Sequence, residues 1–212
     1  MTDQPDKPQP PTPDAPRENE PAHAPEPPPA PPFPSATTAL LLVVSAWVLL
    51  TGFLFWAPHN IDRRDQAKQV LYIVDAHYHG EILLPKETGH WPTKPPLYTW
   101  LSLIFARIEG DVTEDNARYV SALAMLAVAL VVFHLAKGLG GPALGLGAGL
   151  AFLANRHTAT IGAVARTDML LAALLIGALA CFMKSRRSPD RPRPWLLGMW
   201  VLIGFALLTK GP

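Results

Sequence analysis

Residues 36–57 form one apolar run without a charged side chain, and this run constrains the fold more than any other part of the chain. About 20 apolar residues are enough to cross the hydrocarbon core of a bilayer as a helix. A cleaved signal peptide would begin with basic residues and carry an apolar core of about 7–15 residues. This run is longer and follows an acidic, proline-rich segment, so we predict a membrane anchor.

Residues 1–35 have the composition of a disordered tail. The first 34 residues hold 14 of the 24 prolines, and they carry six carboxylates against two basic side chains, Lys7 and Arg17. Such a segment buries too little apolar surface to offset the entropy lost on ordering. Its acidic charge also argues against binding to nucleic acid. We therefore predict a disordered tail and no nucleic-acid partner.

Four further apolar segments predict an all-α, polytopic transmembrane bundle of about five spans. Their approximate bounds are 119–136, 138–155, 165–183 and 195–209. A loop near 156–166 joins the segment 138–155 to the segment 165–183. Each is near the lower length limit for a spanning helix. Gly141, Gly145 and Gly149 recur at every fourth residue, a pattern that lets membrane helices approach closely.

Two juxtamembrane helices are predicted between the first two spans, over 62–79 and 96–107. In the first, apolar side chains recur near helical spacing, and they are Ile61, Ala67, Val70, Leu71, Val74 and Tyr78. The second has only about 12 residues and should lie along the membrane surface. If it does not cross, Asp65, Lys94, Asp168 and Lys210 lie on one side of the membrane; if it crosses, they are divided.

The loop from Lys184 to Arg193 carries five basic side chains and is expected on the cytoplasmic side. The tail would then be cytoplasmic, and the candidate site would face outward from the cytoplasmic membrane. A count of every Lys and Arg does not favour this orientation, since eight fall inside and ten outside. However, the rule loses force in the long first outer loop, and a phosphate site would itself collect cations.

Lys94 and Asp168 are the strongest candidates for chemistry. Pro95 biases Lys94 towards an extended conformation, and a lysine so placed acts as a point charge for phosphate. The alternative is a lysine that reaches towards the lipid headgroups. Asp168 begins an apolar run, where the helix dipole stabilises a carboxylate, although an N-cap or a pair with Arg166 would also explain it.

Three further charged residues are weaker candidates. Asp65 lies in the first juxtamembrane helix among basic neighbours, including the candidate phosphate ligand Arg64, and a solvated surface charge is the alternative. Lys210 precedes Gly211 and Pro212, so it could bind phosphate or simply end a helix.

Cofactor signals are weak. His77, His79 and His90 could supply imidazoles to a metal, but no second cluster supports them, so we expect no metal site. The glycine-rich stretch 138–149 is apolar and lacks the pattern of a nucleotide-binding loop. Any phosphate is therefore expected to arrive on a lipid.

Four elements in order resemble the C-type membrane glycosyltransferases, in particular the family that includes lipid A aminoarabinose transferases and protein O-mannosyltransferases. The elements are Asp65-Gln66, Lys94 to Trp100, Arg166 to Met169 and Leu208 to Pro212. The resemblance covers residues 38–212 and implies that 36–212 is the N-terminal part of a transmembrane glycosyltransferase domain. Two departures are Gln66 in place of the usual Glu, and Thr93 where some relatives have Glu.

The resemblance implies a donor sugar on a polyprenyl phosphate, transferred with inversion to a lipid A-like, glycan or protein acceptor at the outer face. Asp65 would orient or deprotonate an acceptor hydroxyl, Asp168 would arrange donor or acceptor, and Lys94 would neutralise the departing lipid phosphate. The loss of two carboxylates at Gln66 and Thr93 makes a divalent metal less expected. The competing interpretation is a small transporter or a non-catalytic subunit that binds polyprenyl phosphate.

Overall fold

The computed structural model describes residues 34–56, 64–86, 90–188 and 190–211. These residues belong to the compact unit Pro32–Pro212. The predicted disorder of the proline-rich tail concerns residues outside these ranges.

Every regular element in the described ranges is a helix, as the sequence predicts. The elements are α1 (Ala36–Trp56), α2 (Arg64–Val74) continued by a π-helical turn (Asp75–His79), α3 (Leu97–Glu109), α4 (Glu114–Ala154), α5 (Arg156–Gly162), α6 (Thr167–Arg187) and α7 (Pro192–Leu207). Three of them, α1, α4 and α6, are long and apolar enough to cross a membrane, and α7 is a shorter apolar helix.

The helix α4 is two antiparallel limbs rather than one rod. Gly140 and Gly141 break the helical backbone, and Gly141 has a φ of 80°, which residues with a side chain rarely adopt. In a straight helix Phe133 and Gly145 would lie about 18 Å apart. Instead, a Cβ built on Gly145 would lie 2.9 Å from the Phe133 carbonyl oxygen. The chain therefore reverses here, and the predicted spans 119–136 and 138–155 are separate limbs.

With α1, the two limbs of α4, α6 and α7, the bundle has about five apolar segments, which confirms the predicted architecture. The first limb begins earlier than predicted, because Thr113 caps it: the Thr113 hydroxyl accepts from the Asn116 N–H, and the Asn116 side chain accepts from the Thr113 N–H. Of the three predicted small residues, Gly145 and Gly149 lie at close contacts, with Phe133 and Val43 respectively. Gly141 serves the chain reversal instead.

Helices α6 and α7 form an antiparallel pair with a fixed register. A Cβ on Gly177 would touch Leu202, one on Gly198 would touch the Cys181 sulfur, and the Lys184 ammonium lies 4.1 Å from the Trp195 ring centroid. This register brings the start of α6 to the end of α7. It therefore sets two charged ends about 30 Å apart, the length of a 21-residue helix.

The buried face of α2 contains polar side chains. Leu71 and Tyr78 are exposed, whereas Gln66, Gln69, Tyr72, Ile73 and Ala76 are buried. The reason is the neighbour, α3: the Gln69 side-chain amide donates to the Thr99 hydroxyl at 2.9 Å, and both groups are buried. The buried Gln69 side chain thus meets one of its hydrogen bonds across the two helices, while its amide oxygen has no partner among the described residues.

The loop predicted near 156–166 contains the short helix α5. It begins because the Asn155 side chain accepts from the N–H groups of His157 and Thr158. Its last residue, Gly162, packs on Met125, and the chain then turns towards Arg166.

Candidate functional site

The carboxylate of Asp168 lies between two cations at one end of the bundle. Its Oδ1 is 3.1 Å from the Lys210 Nζ, and its Oδ2 is 2.9 Å from an Nη of Arg166. Asp168 is in the first turn of α6, and its side chain makes no cap hydrogen bond. Of the alternatives weighed from the sequence, the pair with Arg166 is therefore present, and the N-cap is not.

Arg166 extends this network to Asp65. The same Arg166 Nη2 lies 3.6 Å from the Asp65 Oδ2, so one guanidinium links two carboxylates that are about a hundred residues apart in the chain. The Asp65 side chain is 55% exposed and that of Asp168 is 26% exposed. Asp65 is therefore the more accessible carboxylate, and Asp168 is the more tightly held one.

The sequence motifs did not predict a functional role for Arg166 itself. Its backbone is fixed by a buried chain of hydroxyls: the Tyr98 hydroxyl lies 2.8 Å from the Ser121 Oγ, which donates to the Arg166 carbonyl at 3.1 Å. Tyr98 is fully buried, and burial raises the pKa of its phenol above the usual value. The hydroxyl therefore remains protonated and keeps the three helices α3, α4 and α6 in register.

Lys94 and Lys210 line one cleft, which has a volume of about 530 Å³. The backbone brings them together: the Leu97 N–H donates to the Leu208 carbonyl at 3.1 Å, so the start of α3 is hydrogen-bonded to the end of α7. Gly211 also lies against Pro95, since a Cβ there would be 3.8 Å from the proline ring. The cleft thus joins the second and fourth sequence elements.

The other walls of the cleft are largely apolar, and they are formed by Leu83, Leu84, Pro85, Pro92, Pro95 and Pro96. Two cations beside leucine and proline side chains suit an amphiphile with an anionic head and an apolar chain. Lys94 is half-buried and Lys210 is exposed. Neither lysine needs to give up a buried carboxylate partner to accept a phosphate.

Tyr72 attaches the Lys94 segment to α2. Its buried hydroxyl accepts from the Thr93 N–H at 3.1 Å and lies 3.2 Å from the Thr93 Oγ1. Since α2 also carries Asp65, this contact couples the position of Lys94 to that of the exposed carboxylate. The sequence pattern marked Thr93 only as a departure and did not single out Tyr72.

All four principal candidates therefore meet at one end of the bundle. Asp65, Asp168 and Lys210 belong to the ion-pair network, and Lys94 shares the cleft with Lys210. This is the arrangement expected if 96–107 does not cross the bilayer. The side chain of the fifth candidate, Arg64, is outside the described part of the structure.

The histidines do not assemble with other ligands. His79 Nδ1 lies 3.0 Å from Asp75, whose other oxygen accepts from the Lys86 N–H at 2.6 Å. His77 has a buried Nδ1 without a hydrogen-bond partner. Among the residues that the structure describes, no three His, Cys, Asp or Glu side chains group together as a metal site would require.

The comparison with protein families gives one match. Residues 93–212, more than half of the chain, match the family described as dolichyl-phosphate-mannose-protein mannosyltransferase. A comparison with curated protein sequences found no match.

Solved structures share the fold. The apo form of ArnT from Cupriavidus metallidurans has a TM-score of 0.73 and 24% identity over 83% of this chain, and 33% of that chain is covered. The same protein bound to undecaprenyl phosphate has the same TM-score and identity, over 84% of this chain and 33% of that one. The apo oligosaccharyltransferase of Archaeoglobus fulgidus has a TM-score of 0.65 and 14% identity, over 82% of this chain and 23% of that one.

The chain thus spans about a third of the length of the ArnT chain. It spans 23% of the length of the oligosaccharyltransferase chain. At these identities the likeness concerns the fold.

Proposed function

Because this chain belongs to the dolichyl-phosphate-mannose-protein mannosyltransferase family, we propose that it forms part of a membrane glycosyltransferase that takes a sugar from a polyprenyl-phosphate carrier. The observation that carries the proposal is the amphiphilic cleft of Lys94 and Lys210, placed directly beside the Asp168–Arg166–Asp65 network. The ArnT structure bound to undecaprenyl phosphate supports this class of carrier.

In the proposed reaction the cleft binds the carrier at its phosphate. When the bond between sugar and phosphate breaks, the departing lipid phosphate gains negative charge. Cations held in place before the reaction stabilise that charge better than water, which must reorient. Lys94 and Lys210 supply two such cations, and Arg64 is proposed as a third.

Asp65 is proposed to act on the acceptor. Its exposed carboxylate can accept the proton of an acceptor hydroxyl while that oxygen attacks the sugar from the face opposite the phosphate. This single displacement inverts the configuration of the sugar carbon. If the acceptor is itself a phosphate, no base is required, and Asp65 then positions it.

Asp168 is proposed to arrange the cations. It holds Lys210, which lines the cleft, at 3.1 Å and Arg166 at 2.9 Å, so both cations are in place before the reaction. The proposed step uses side chains alone and requires no metal ion or cofactor. The acceptor class is a lipid A-like molecule, a glycan or a protein.

The proposed location is the cytoplasmic membrane, with the tail inside and the site on the outer face. The basic loop between α6 and α7 supports this orientation, because it lies at the end of the bundle away from Asp168.

The test is transfer of a radiolabelled sugar from a polyprenyl-phosphate donor by membranes that contain the protein at its natural full length. We expect transfer by the wild type and its loss in Asp65→Asn. Glu81→Gln is the matched control, since Glu81 is an exposed carboxylate of the same loop that pairs with Lys86. Unchanged transfer in Asp65→Asn contradicts the catalytic role, and carrier binding without any transfer by the wild type favours a non-catalytic binding subunit.

A further inference from the structure

A cluster of cations, all of them exposed except the half-buried Lys137, lies at the end of the bundle opposite the site. Five belong to the end of α6 and the turn into α7, and one to the end of the first limb of α4. They are Lys184, Arg186, Arg187, Arg191, Arg193 and Lys137. We call these six residues the basic end.

Within the described part of the chain, the basic end has little compensating charge. From residue 116 to the last residue the sequence has two carboxylates, Asp168 and Asp190, and only Asp190 lies near the basic end. Within the described ranges no salt bridge joins any of the six cations to a carboxylate. Arg166 and Lys210 of the site, in contrast, are paired with Asp168.

Chain packing holds this charge together. The reversal of α4 brings its first limb to α6, since a Cβ on Gly138 would lie 3.3 Å from an Nη of Arg187. Lys184 lies over the Trp195 ring, which fixes the opposite side of the turn. The end of the first limb of α4, the end of α6 and the start of α7 therefore meet at one level.

This level is expected at a membrane boundary, because α6 is long and apolar enough to cross a membrane. Asp168 starts α6 and Lys184 is in its last turn, so the two charged ends are separated by about the thickness of a bilayer core. Tryptophan beside lysine and arginine is typical of the headgroup region. Clustered lysine and arginine at this depth attract anionic headgroups.

We propose that the basic end binds the headgroups of anionic phospholipids. Arg187 and Arg191 donate paired N–H groups to the headgroup phosphate, and the other cations add to the attraction. This site is separate from the Lys94 cleft and does not depend on the proposed function.

The experiment compares lipid retention by the purified full chain in a neutral detergent, measured by native mass spectrometry. Phosphatidylglycerol and phosphatidylcholine with the same acyl chains are the two probes. We expect the wild type to retain phosphatidylglycerol about tenfold more strongly, and Arg187→Gln/Arg191→Gln to lose most of that preference. Equal retention of the two lipids by the wild type would overturn the proposal.

The matched control is Arg107→Gln/Arg156→Gln, which removes two exposed arginines elsewhere and should keep the preference. Arg187→Lys/Arg191→Lys keeps the charge and should keep most of it. If the glutamine variant does not fold, the wild type still gives the answer. The preference of the wild type for phosphatidylglycerol must fall as the salt concentration rises from about 0.05 M to about 0.5 M. A preference that does not change with salt concentration would contradict an electrostatic site.

Discussion

Asp168 and Lys210 are 42 residues apart in the chain, and the Lys210 ammonium donates to the Asp168 carboxylate at 3.1 Å. The pair closes the antiparallel α6–α7 hairpin at the end that carries the cleft. It also fixes one of the two lysines proposed to meet the lipid phosphate. The same contact is therefore part of the fold and part of the site.

Asp168→Asn should stop sugar transfer while the protein stays folded. The change leaves Arg166 and Lys210 without their shared partner, and both can turn towards water. We expect a stability loss within about 1 kcal/mol, because partly exposed ion pairs contribute little. Misplaced cations should lower transfer about a hundredfold or more. Asp190→Asn, an exposed carboxylate in the α6–α7 turn, is the control, and equal transfer by the two variants would contradict the role of Asp168.

Tyr72→Phe should weaken binding of the carrier, although Tyr72 does not line the cleft. The variant loses the hydroxyl that accepts from the Thr93 N–H, at a cost of about 1 kcal/mol in stability. The Lys94 segment then has to be ordered on binding, so the dissociation constant for undecaprenyl phosphate should rise roughly threefold to tenfold. Tyr78→Phe removes an exposed hydroxyl that bonds to Asp111 and should leave the affinity unchanged. An unchanged affinity in Tyr72→Phe would show that Lys94 is positioned without this contact.

The uncharged runs made α1 and α6 predictable from the sequence, because a long apolar segment has few other stable environments. The buried face of α2 was not predictable in this way. Gln66 and Gln69 are polar yet buried, and α3 supplies a hydrogen-bond partner to Gln69.

The candidate site, too, was only partly predictable from the sequence. Motifs identified Asp65, Lys94, Asp168 and Lys210, but the bridging role of Arg166 depends on a contact with Asp65 that no local pattern encodes. Tyr72 was missed for the same reason, since its partner Thr93 is 21 residues away.

Gly145→Ala should destabilise the bundle by about 1–3 kcal/mol. A Cβ there would lie 2.9 Å from the Phe133 carbonyl oxygen, so the two limbs of α4 would have to separate. Gly147 lies two residues on in the same limb, and a Cβ there would meet nothing within 4 Å. Gly147→Ala should therefore be neutral or stabilising by up to about 1 kcal/mol. Thermal unfolding in detergent compares the two, and equal midpoints would contradict the close approach of the limbs.

The contact between Tyr78 and Asp111 should make stability depend on pH at both extremes. The hydrogen bond from the Tyr78 hydroxyl, and then the one from the Val112 N–H, hold the pKa of Asp111 below its usual 3.8. The same bond, with Asp111 as acceptor, raises the pKa of Tyr78 above its usual 10.0. The lowered carboxyl contributes stability that is present above pH 3.8 and is lost as the pH falls below it. The raised phenol contributes stability that is present below pH 10.0 and is lost above it.

Tyr78→Phe removes this contact, so the wild type should melt at a higher temperature than the variant between about pH 5 and 9. The difference should shrink below pH 3.8 and above pH 10.0, the usual values for the two groups. Melting curves across this range provide the measurement. A difference that stays constant with pH would show that the hydroxyl acts through packing alone.

The central claim is that the cleft of Lys94 and Lys210 binds the phosphate of a polyprenyl carrier. The most direct measurement compares undecaprenyl phosphate with undecaprenol, which has the same chain and no phosphate, for binding to the wild type and to Lys94→Ala. We predict that the wild type prefers the phosphate and that Lys94→Ala loses about tenfold of that preference, while Lys86→Ala, in the same loop but outside the cleft lining, keeps it. Equal binding of undecaprenyl phosphate and undecaprenol by the wild type would show that the cleft does not recognise the phosphate.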